Sequence, residues 1–191
     1  HIHELVNRMV LMSRLDSGTQ ATSEYLQIDD FMKAVYTGRA NAFKEKNALV
    51  HLELQAPDTW VYADPDMLSI ALQNILDNAL QHSPPPVEIT IKTRINGETV
   101  AIIIEDNGVG IPPELHSRVF ERFFRVDEAH TTRGFGLGLP IAKRIIENAG
   151  GSIGLESQVG KGTTVTVTLG IKSKEASPSD GYQPDSLAAS D

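Results

Sequence analysis

Asn74-Ile75-Leu76-Asp77-Asn78-Ala79 decides how this chain is read, because it divides one helix into two faces. Leu68, Leu72, Ile75, Leu76 and Ala79 recur at steps of three and four and share an apolar face. Asn74, Asp77, Asn78, Gln81 and His82 share the opposite face at the same steps. A solvated helix face is usually rich in charge, whereas this one carries paired asparagines and a single carboxylate. Carboxamide oxygens are hard ligands that suit Mg²⁺, an ion that keeps several waters and is shared with substrate phosphates. The helix starts at Asp64-Pro65, where proline is tolerated in the first turn, and Ser83-Pro84-Pro85-Pro86 stops it after His82.

Two further stretches lie downstream. Asp106-Asn107-Gly108-Val109-Gly110-Ile111 follows the apolar strand Val100–Ile104. A carboxylate at a strand end can accept from the exocyclic amine of adenine, and it discriminates against guanine, which presents a carbonyl there. Gly108 and Gly110 permit positive φ and a close approach of backbone to base; taken alone, the stretch reads equally as a tight turn. Gly134-Phe135-Gly136-Leu137-Gly138-Leu139 opens a helix from about Leu137 to Ala149. Bare amides at a helix N-terminus bind phosphate, aided by the helix dipole. The Gly-x-Gly-x-Gly spacing without a preceding strand fails the dinucleotide fingerprint. Gly160-Lys161-Gly162-Thr163-Thr164 lacks the P-loop order and its following helix, so it reads as a turn between strands.

The order and spacing of these three stretches, with Phe120-Glu121-Arg122-Phe123-Phe124-Arg125 between the last two, resemble the N, G1, F and G2 boxes of the catalytic, ATP-binding domain of sensor histidine kinases. That family belongs to the wider group of gyrase, the Hsp90 chaperone and MutL. The resemblance covers about residues 5–171. It implies an α/β Bergerat fold: a two-layer sandwich of a mixed, mostly antiparallel sheet with three main helices on one face. It implies ATP and Mg²⁺ as ligands, with Asn78 as the metal ligand and Asn74 holding phosphate and the metal's waters. It implies that Asp106, Gly108, Gly110, Ile111, Arg125, Gly134, Gly136, Leu137, Gly138, Leu139 and Thr163 line the nucleotide site, with Thr163 closing over the adenine. Gln81 and His82 join them, although many family members carry Lys-Tyr or Arg-Tyr there, so a cation near the phosphates is missing. Wider-group ATPases place a glutamate base where this chain has Asn74, which argues against strong ATP hydrolysis.

Residues 1–17 read as a helix with an apolar stripe of Ile2, Leu5, Val6, Met9 and Met12, stopped at Gly18. By resemblance, residues 1–18 are the end of the second helix of a dimerisation and phosphotransfer hairpin, and the chain is a fragment beginning inside it. His3-Glu4-Leu5 continues as Val6-Asn7-Arg8 rather than Arg-Thr-Pro, so His3 is not read as the phosphoacceptor. Residues 19–171 form the catalytic domain. Within it, Asp29 or Asp30 is expected to cap a helix from Phe31 to about Lys46. Leu49–Leu54 alternates as a strand, Val87–Ile95 and Thr99–Glu105 pair through Asn96-Gly97, and Ser152–Ser157 pairs with Thr163–Leu169. Residues 172–191, rich in Ser, Pro, Asp and Ala, read as a disordered tail.

The resemblance implies partners as well: the chain's own hairpin domain, a response regulator, and a second copy in a homodimeric parent. It places this domain in the cytoplasm and the parent at the membrane. The chain itself has no run of about 18 apolar residues and no cysteine. Its 17 basic and 25 acidic residues, net −8, argue against nucleic acid as a partner. Two other readings stay open: a serine kinase of the anti-sigma-factor type, and a regulatory module that binds nucleotide without transferring phosphate.

The polar stretch 126–133, between two pocket motifs, reads as a lid ordered by nucleotide phosphates. Hydrogen exchange should then show protection rising over residues 126–138 on adding Mg·ADP, with little change in Val87–Ile95. Equal, high protection of 126–138 in both states would remove the gating.

Overall fold

In the computed structural model, residues 2–18, 22–126 and 134–173 are described. Residues 127–133 of the expected lid and residues 174–191 of the expected tail lie outside the described residues. Lys172, at the start of that tail, still donates its backbone N–H to Trp60 O at 2.8 Å.

The elements are α1 (Ile2–Asp16), β1 (Glu24–Gln27), α2 (Ile28–Gly38), α3 (Ala40–Glu45), β2 (Leu49–Gln55), β3 (Trp60–Ala63), α4 (Pro65–His82), β4 (Glu88–Asn96), β5 (Thr99–Asp106), α5 (Gly138–Asn148), β6 (Ser152–Gln158) and β7 (Gly162–Gly170), with two short 3₁₀ turns between β5 and α5. Five strands form one sheet in the order β2-β4-β5-β7-β6, and β1 pairs with β3 in a separate antiparallel ribbon. Only the β2–β4 pair is parallel. The sheet is therefore mixed and mostly antiparallel, as expected.

One face of the sheet is apolar. Ile89 and Ile91 on β4, Val100, Ile102 and Ile104 on β5, and Val165, Val167 and Leu169 on β7 are all buried. They alternate with half-buried or exposed residues, the period-2 pattern of a sheet covered on one side. The cover comes from α2, α4 and α5. From α4 it receives Leu68, Ala71, Leu72, Ile75, Leu76, Ala79 and Leu80; from α5, Leu139, Ile141, Ala142, Ile145 and Ile146. On α4 the Asp64 carboxylate caps the first turn, accepting from Met67 N at 3.0 Å, with Pro65 next to it.

The α2 region departs from expectation in two ways. Its cap is Gln27, whose side chain accepts from Asp30 N at 2.6 Å, and the helix begins at Ile28. Asp29 is instead buried. It accepts from Thr93 Oγ1 at 2.6 Å and from Ala56 N at 3.1 Å, while Thr93 Oγ1 also accepts from Gln55 N at 2.8 Å. This network ties α2 to β4 and to the end of β2. The single helix expected to Lys46 is broken at Arg39, where the Arg39 N–H turns back to Tyr36 O at 3.0 Å and α3 follows. The β4–β5 hairpin turns on Gly97-Glu98, since Asn96 pairs with Thr99.

The α1 stripe is also divided between two faces. Met12 and Leu15 are buried and Leu5 is half-buried against the domain, whereas Ile2, Val6, Met9 and Val10 are exposed. The docked end is held by Asp16, which accepts from Arg122 at 2.6 Å and pairs with Arg144 at 3.5 Å, and by Asn148 Nδ2 donating to Leu15 O at 3.0 Å. Among the described residues, no helix is long and apolar enough to cross a membrane.

Replacing Asp29 by Ala leaves the hydroxyl hydrogen of buried Thr93 and the Ala56 N–H without an acceptor, at a cost of about 2 kcal/mol. Denaturant unfolding of Asp29→Ala, Thr93→Val and the double variant should show strong non-additivity. Additive losses would mean that the two side chains act independently.

Candidate functional site

A cavity of about 830 Å³ lies between α4, the start of α5 and the ends of β5 and β7. That volume suits a ligand of cofactor size. Every residue expected at the site lines it: Asn74, Asn78, Gln81 and His82 from α4, Asp106, Gly108, Gly110 and Ile111 from the β5 turn, Arg125, Gly134, Gly136, Leu137, Gly138 and Leu139, and Thr163 from β7. Ile104, Val119 and Val165 give it an apolar wall. The arrangement follows from α4. Its apolar face is committed to the sheet, so its polar face is turned toward the space beneath the α5 start.

The cavity has two chemically different ends. Asn74 and His82 are eight residues apart, so α4 separates these ends by about 12 Å at 1.5 Å per residue. At the His82 end, Asp106 Oδ1 accepts from Gly108 N at 2.8 Å and from Thr163 N at 3.1 Å. Both bonds use Oδ1, which leaves Oδ2 for a ligand donor. Burial raises the Asp106 pKa above the ordinary carboxylate value, and the two N–H donors oppose the rise. Burial pushes the His82 pKa down and nearby Arg125 adds to the effect, so the imidazole is neutral near pH 7.

At the Asn74 end, α5 begins with no side-chain cap. Its first residues, Gly138 and Leu139, present backbone amides, and Pro140 has none to present. The Asn74 carboxamide is oriented by donating Nδ2 to Ile70 O at 3.0 Å, and its Oδ1 lies against Gly138, where a Cβ would sit 3.4 Å away. The Asn78 carboxamide, one turn on, has no hydrogen-bond partner among the described residues. Asp77 also lines the cavity and pairs with Arg39. Among the described residues there is no cluster of three acidic or histidine side chains that would enclose a metal by itself. The donor set here, carboxamide oxygen beside bare amides, fits Mg²⁺ shared with phosphate.

Two of the cavity glycines are also required by packing. Gly110, at φ 72°, lies so close to the Gln158 carbonyl in the β6–β7 turn that a side chain would collide with it, and Gly160 N donates to Val109 O at 2.8 Å. Gly136, at φ 64°, faces the Phe124 carbonyl, 2.6 Å from where a Cβ would lie, and its own carbonyl accepts from Phe123 N at 2.9 Å. The phenylalanine segment is thereby locked to the glycine loop. Phe120 and Phe124 pack against the core, whereas Phe123 is exposed. Arg122 of the same segment is paired with Asp16 of α1.

Several contributors have no role in the sequence reading. Ser157 Oγ accepts from Ile111 N at 2.8 Å, donates to Gly162 O at 2.9 Å and meets Thr163 Oγ1 at 2.9 Å, joining the two loops at the Asp106 end. The Thr163 side chain is thus engaged with Ser157, and its backbone serves Asp106. Asn107 fastens the turn to β4, accepting from Glu88 N at 3.0 Å and donating to Pro86 O at 2.7 Å. Glu4 and Arg8 of α1 line the cavity as well, and Arg8 Nη1 donates to Asn74 Oδ1 at 3.3 Å. A serine two strands away and an arginine 66 residues upstream carry no local signal; topology alone brings them in.

Residues 63–173 match the family described as histidine kinase-, DNA gyrase B-, and HSP90-like ATPase. The chain is 38% identical over 176 residues to the sensor histidine kinase WalK of Bacillus subtilis (strain 168), covering 90% of this chain and 29% of that protein. It therefore spans under a third of the length of this curated relative. The mycobacterial sensor histidine kinase MprB superposes with a TM-score of 0.68 at 27% identity, over 79% of this chain and 99% of that one. Full-length ShkA in complex with AMPPNP has the same fold, with a TM-score of 0.79 at 24% identity over 90% of this chain and 36% of that one.

The raised Asp106 pKa has a consequence for the unliganded chain. A carboxyl group with a folded pKa above its unfolded value contributes stability that is fully present below the unfolded pKa and lost as pH rises through the folded one. Asp106→Asn keeps an acceptor for Gly108 and Thr163 and removes the buried charge. Thermal unfolding near neutral pH should therefore find the variant as stable as the parent or more so, with a flatter pH dependence on the acid side. A clear loss of stability at neutral pH would mean that the carboxylate holds the turn together.

Proposed function

The chain belongs to the histidine kinase-, DNA gyrase B-, and HSP90-like ATPase family, and we propose that it binds Mg·ATP as the catalytic domain of a sensor histidine kinase. The observation that carries this reading is the polarity of the cavity. An acceptor left open on a buried carboxylate stands at one end, and uncapped helix amides with two carboxamides stand at the other. The exocyclic amine of adenine would donate to Asp106 Oδ2. The triphosphate would run along α4 to the Gly138 and Leu139 amides.

Asn78 would hold Mg²⁺, with Asn74 contacting its waters or a phosphate oxygen. The ion supplies neutralisation of phosphate charge when bound. The chain's own residues act by positioning: the helix amides and Asn74 hold the triphosphate so that the γ-phosphorus is presented outward. In the transfer, the bond from the γ-phosphorus to the bridging β–γ oxygen breaks and ADP departs with that electron pair. A phosphorus–nitrogen bond forms to a histidine imidazole, whose proton passes to solvent. That histidine belongs to a helical hairpin of which α1 is the last part of the second helix. The exposed Ile2, Val6, Met9 and Val10 support this, because they form an apolar face with no cover among the described residues. The phosphoryl group would pass on to an aspartate of a response regulator. The parent would be a membrane-anchored homodimer with this domain in the cytoplasm.

Asp106→Asn tests the adenine end. With Oδ1 occupied by two N–H donors, the asparagine would turn its NH₂ toward the ligand, donor against donor. ATP affinity should fall by about 1.5–3 kcal/mol, and the preference over GTP should shrink, because guanine offers an acceptor at that position. Calorimetry that finds unchanged ATP affinity in the folded variant would sink the assignment.

A further inference from the structure

We infer that Arg8, on α1, is a triphosphate-binding residue of this site and supplies from outside the catalytic domain the cation that α4 lacks. This deepens the Mg·ATP reading and rests on it. Gln81 brings no charge to the cavity, and His82 is held neutral by burial and by Arg125. Among the described residues, the cations lining the cavity are Arg8 and Arg125. Arg125 is near enough to His82 to help lower its pKa. Arg8 stands at the other end, where its Nη1 donates to Asn74 Oδ1 at 3.3 Å beside the first residue of α5.

The guanidinium is poised rather than committed. Its bond to Asn74 is long, its pair with Glu4 is also long, at 3.3 Å, and its side chain is 32% exposed. A planar fork with several donors can keep one contact and give others to phosphate oxygens. The position of Arg8 is set one to two turns further along α1, by the burial of Met12 and Leu15 and by the contacts of Asp16 with Arg122 and Arg144. Glu4 is the opposing element, a carboxylate lining the same cavity that repels phosphate and competes for Arg8.

The test is calorimetric titration of the whole 191-residue chain and of Arg8→Gln, Arg8→Lys and Glu4→Gln with Mg·ATP and with adenosine. Arg8→Gln should weaken ATP binding by about tenfold or more, the loss of a charge-assisted contact, and leave adenosine unchanged. Arg8→Lys should restore part of the affinity, and Glu4→Gln should raise ATP affinity several-fold. The opposite signs of the Arg8 and Glu4 variants separate the effect from a general loss of fold. Equal ATP affinity in the parent and Arg8→Gln overturns the role of Arg8. Tighter ATP binding by Arg8→Gln also overturns it, making the Asn74 contact an obstruction. If the parent binds adenosine and ATP equally weakly, the nucleotide reading of the cavity falls and takes Arg8 with it.

Discussion

The two faces of α4 are the constraint on which the rest of this structure depends. Leu68, Leu72, Ile75 and Leu76 are almost completely buried on the sheet. Truncating any one of them to alanine would cost about 2–5 kcal/mol, so the rotation of the helix about its axis is fixed. Once it is fixed, Asn74, Asn78 and His82 have one place to go, the space under the start of α5. Site and core are thus consequences of a single register. A change that rotated α4 by one residue would bury a carboxamide and expose a leucine together.

The second constraint is the economy of the loops around the cavity. Each loop is fastened by another loop: the Asp106 turn by the β6–β7 turn through Gly110 and Ser157, and the glycine loop by the phenylalanine segment through Gly136. Motif glycines need not touch a ligand to be required by the site. Gly110 and Gly136 line the cavity, yet what forbids a side chain there is the backbone of a neighbouring loop. Asp106 works under an opposing demand. Its carboxylate is kept beneath the surface at an electrostatic cost because an open Oδ2 is of use only where water does not compete for it.

What the sequence made legible was whatever repeats at a short period or sits in a contiguous motif. The apolar face of α4, the Val100–Ile104 strand and the glycine-opened helix fall in that class, as do the residues gathered at the cavity. The same reading placed the α2 cap on Asp29 or Asp30 because aspartate ahead of an apolar run usually caps. Here Asp29 is drawn inward by Thr93, 64 residues away, and Gln27 takes the cap. The helix breaks directly after Gly38, and the Arg39 guanidinium there pairs with Asp77 on α4. The parallel pairing of β2 with β4 has no local signature either, being fixed by the crossover through β3 and α4. Local period reports a face; it does not report what that face will meet.

The α1 helix shows the same limit and its physical use. Its apolar residues looked like one stripe, yet they serve two surfaces, with Leu5, Met12 and Leu15 turned to the catalytic domain. The ion pairs at Asp16 are half-exposed and contribute roughly 0–1 kcal/mol each. Burial of Met12 and Leu15 contributes about 1.5–3 kcal/mol apiece. Docking of α1 is thus worth a few kcal/mol, the same order as one charged contact between Arg8 and a phosphate. Two events of comparable size that share a side chain are thermodynamically linked: whatever seats α1 would tighten the triphosphate, and the triphosphate would in turn hold α1. An attachment much stronger than this would leave α1 permanently seated, and a much weaker one would leave Arg8 without influence on the cavity.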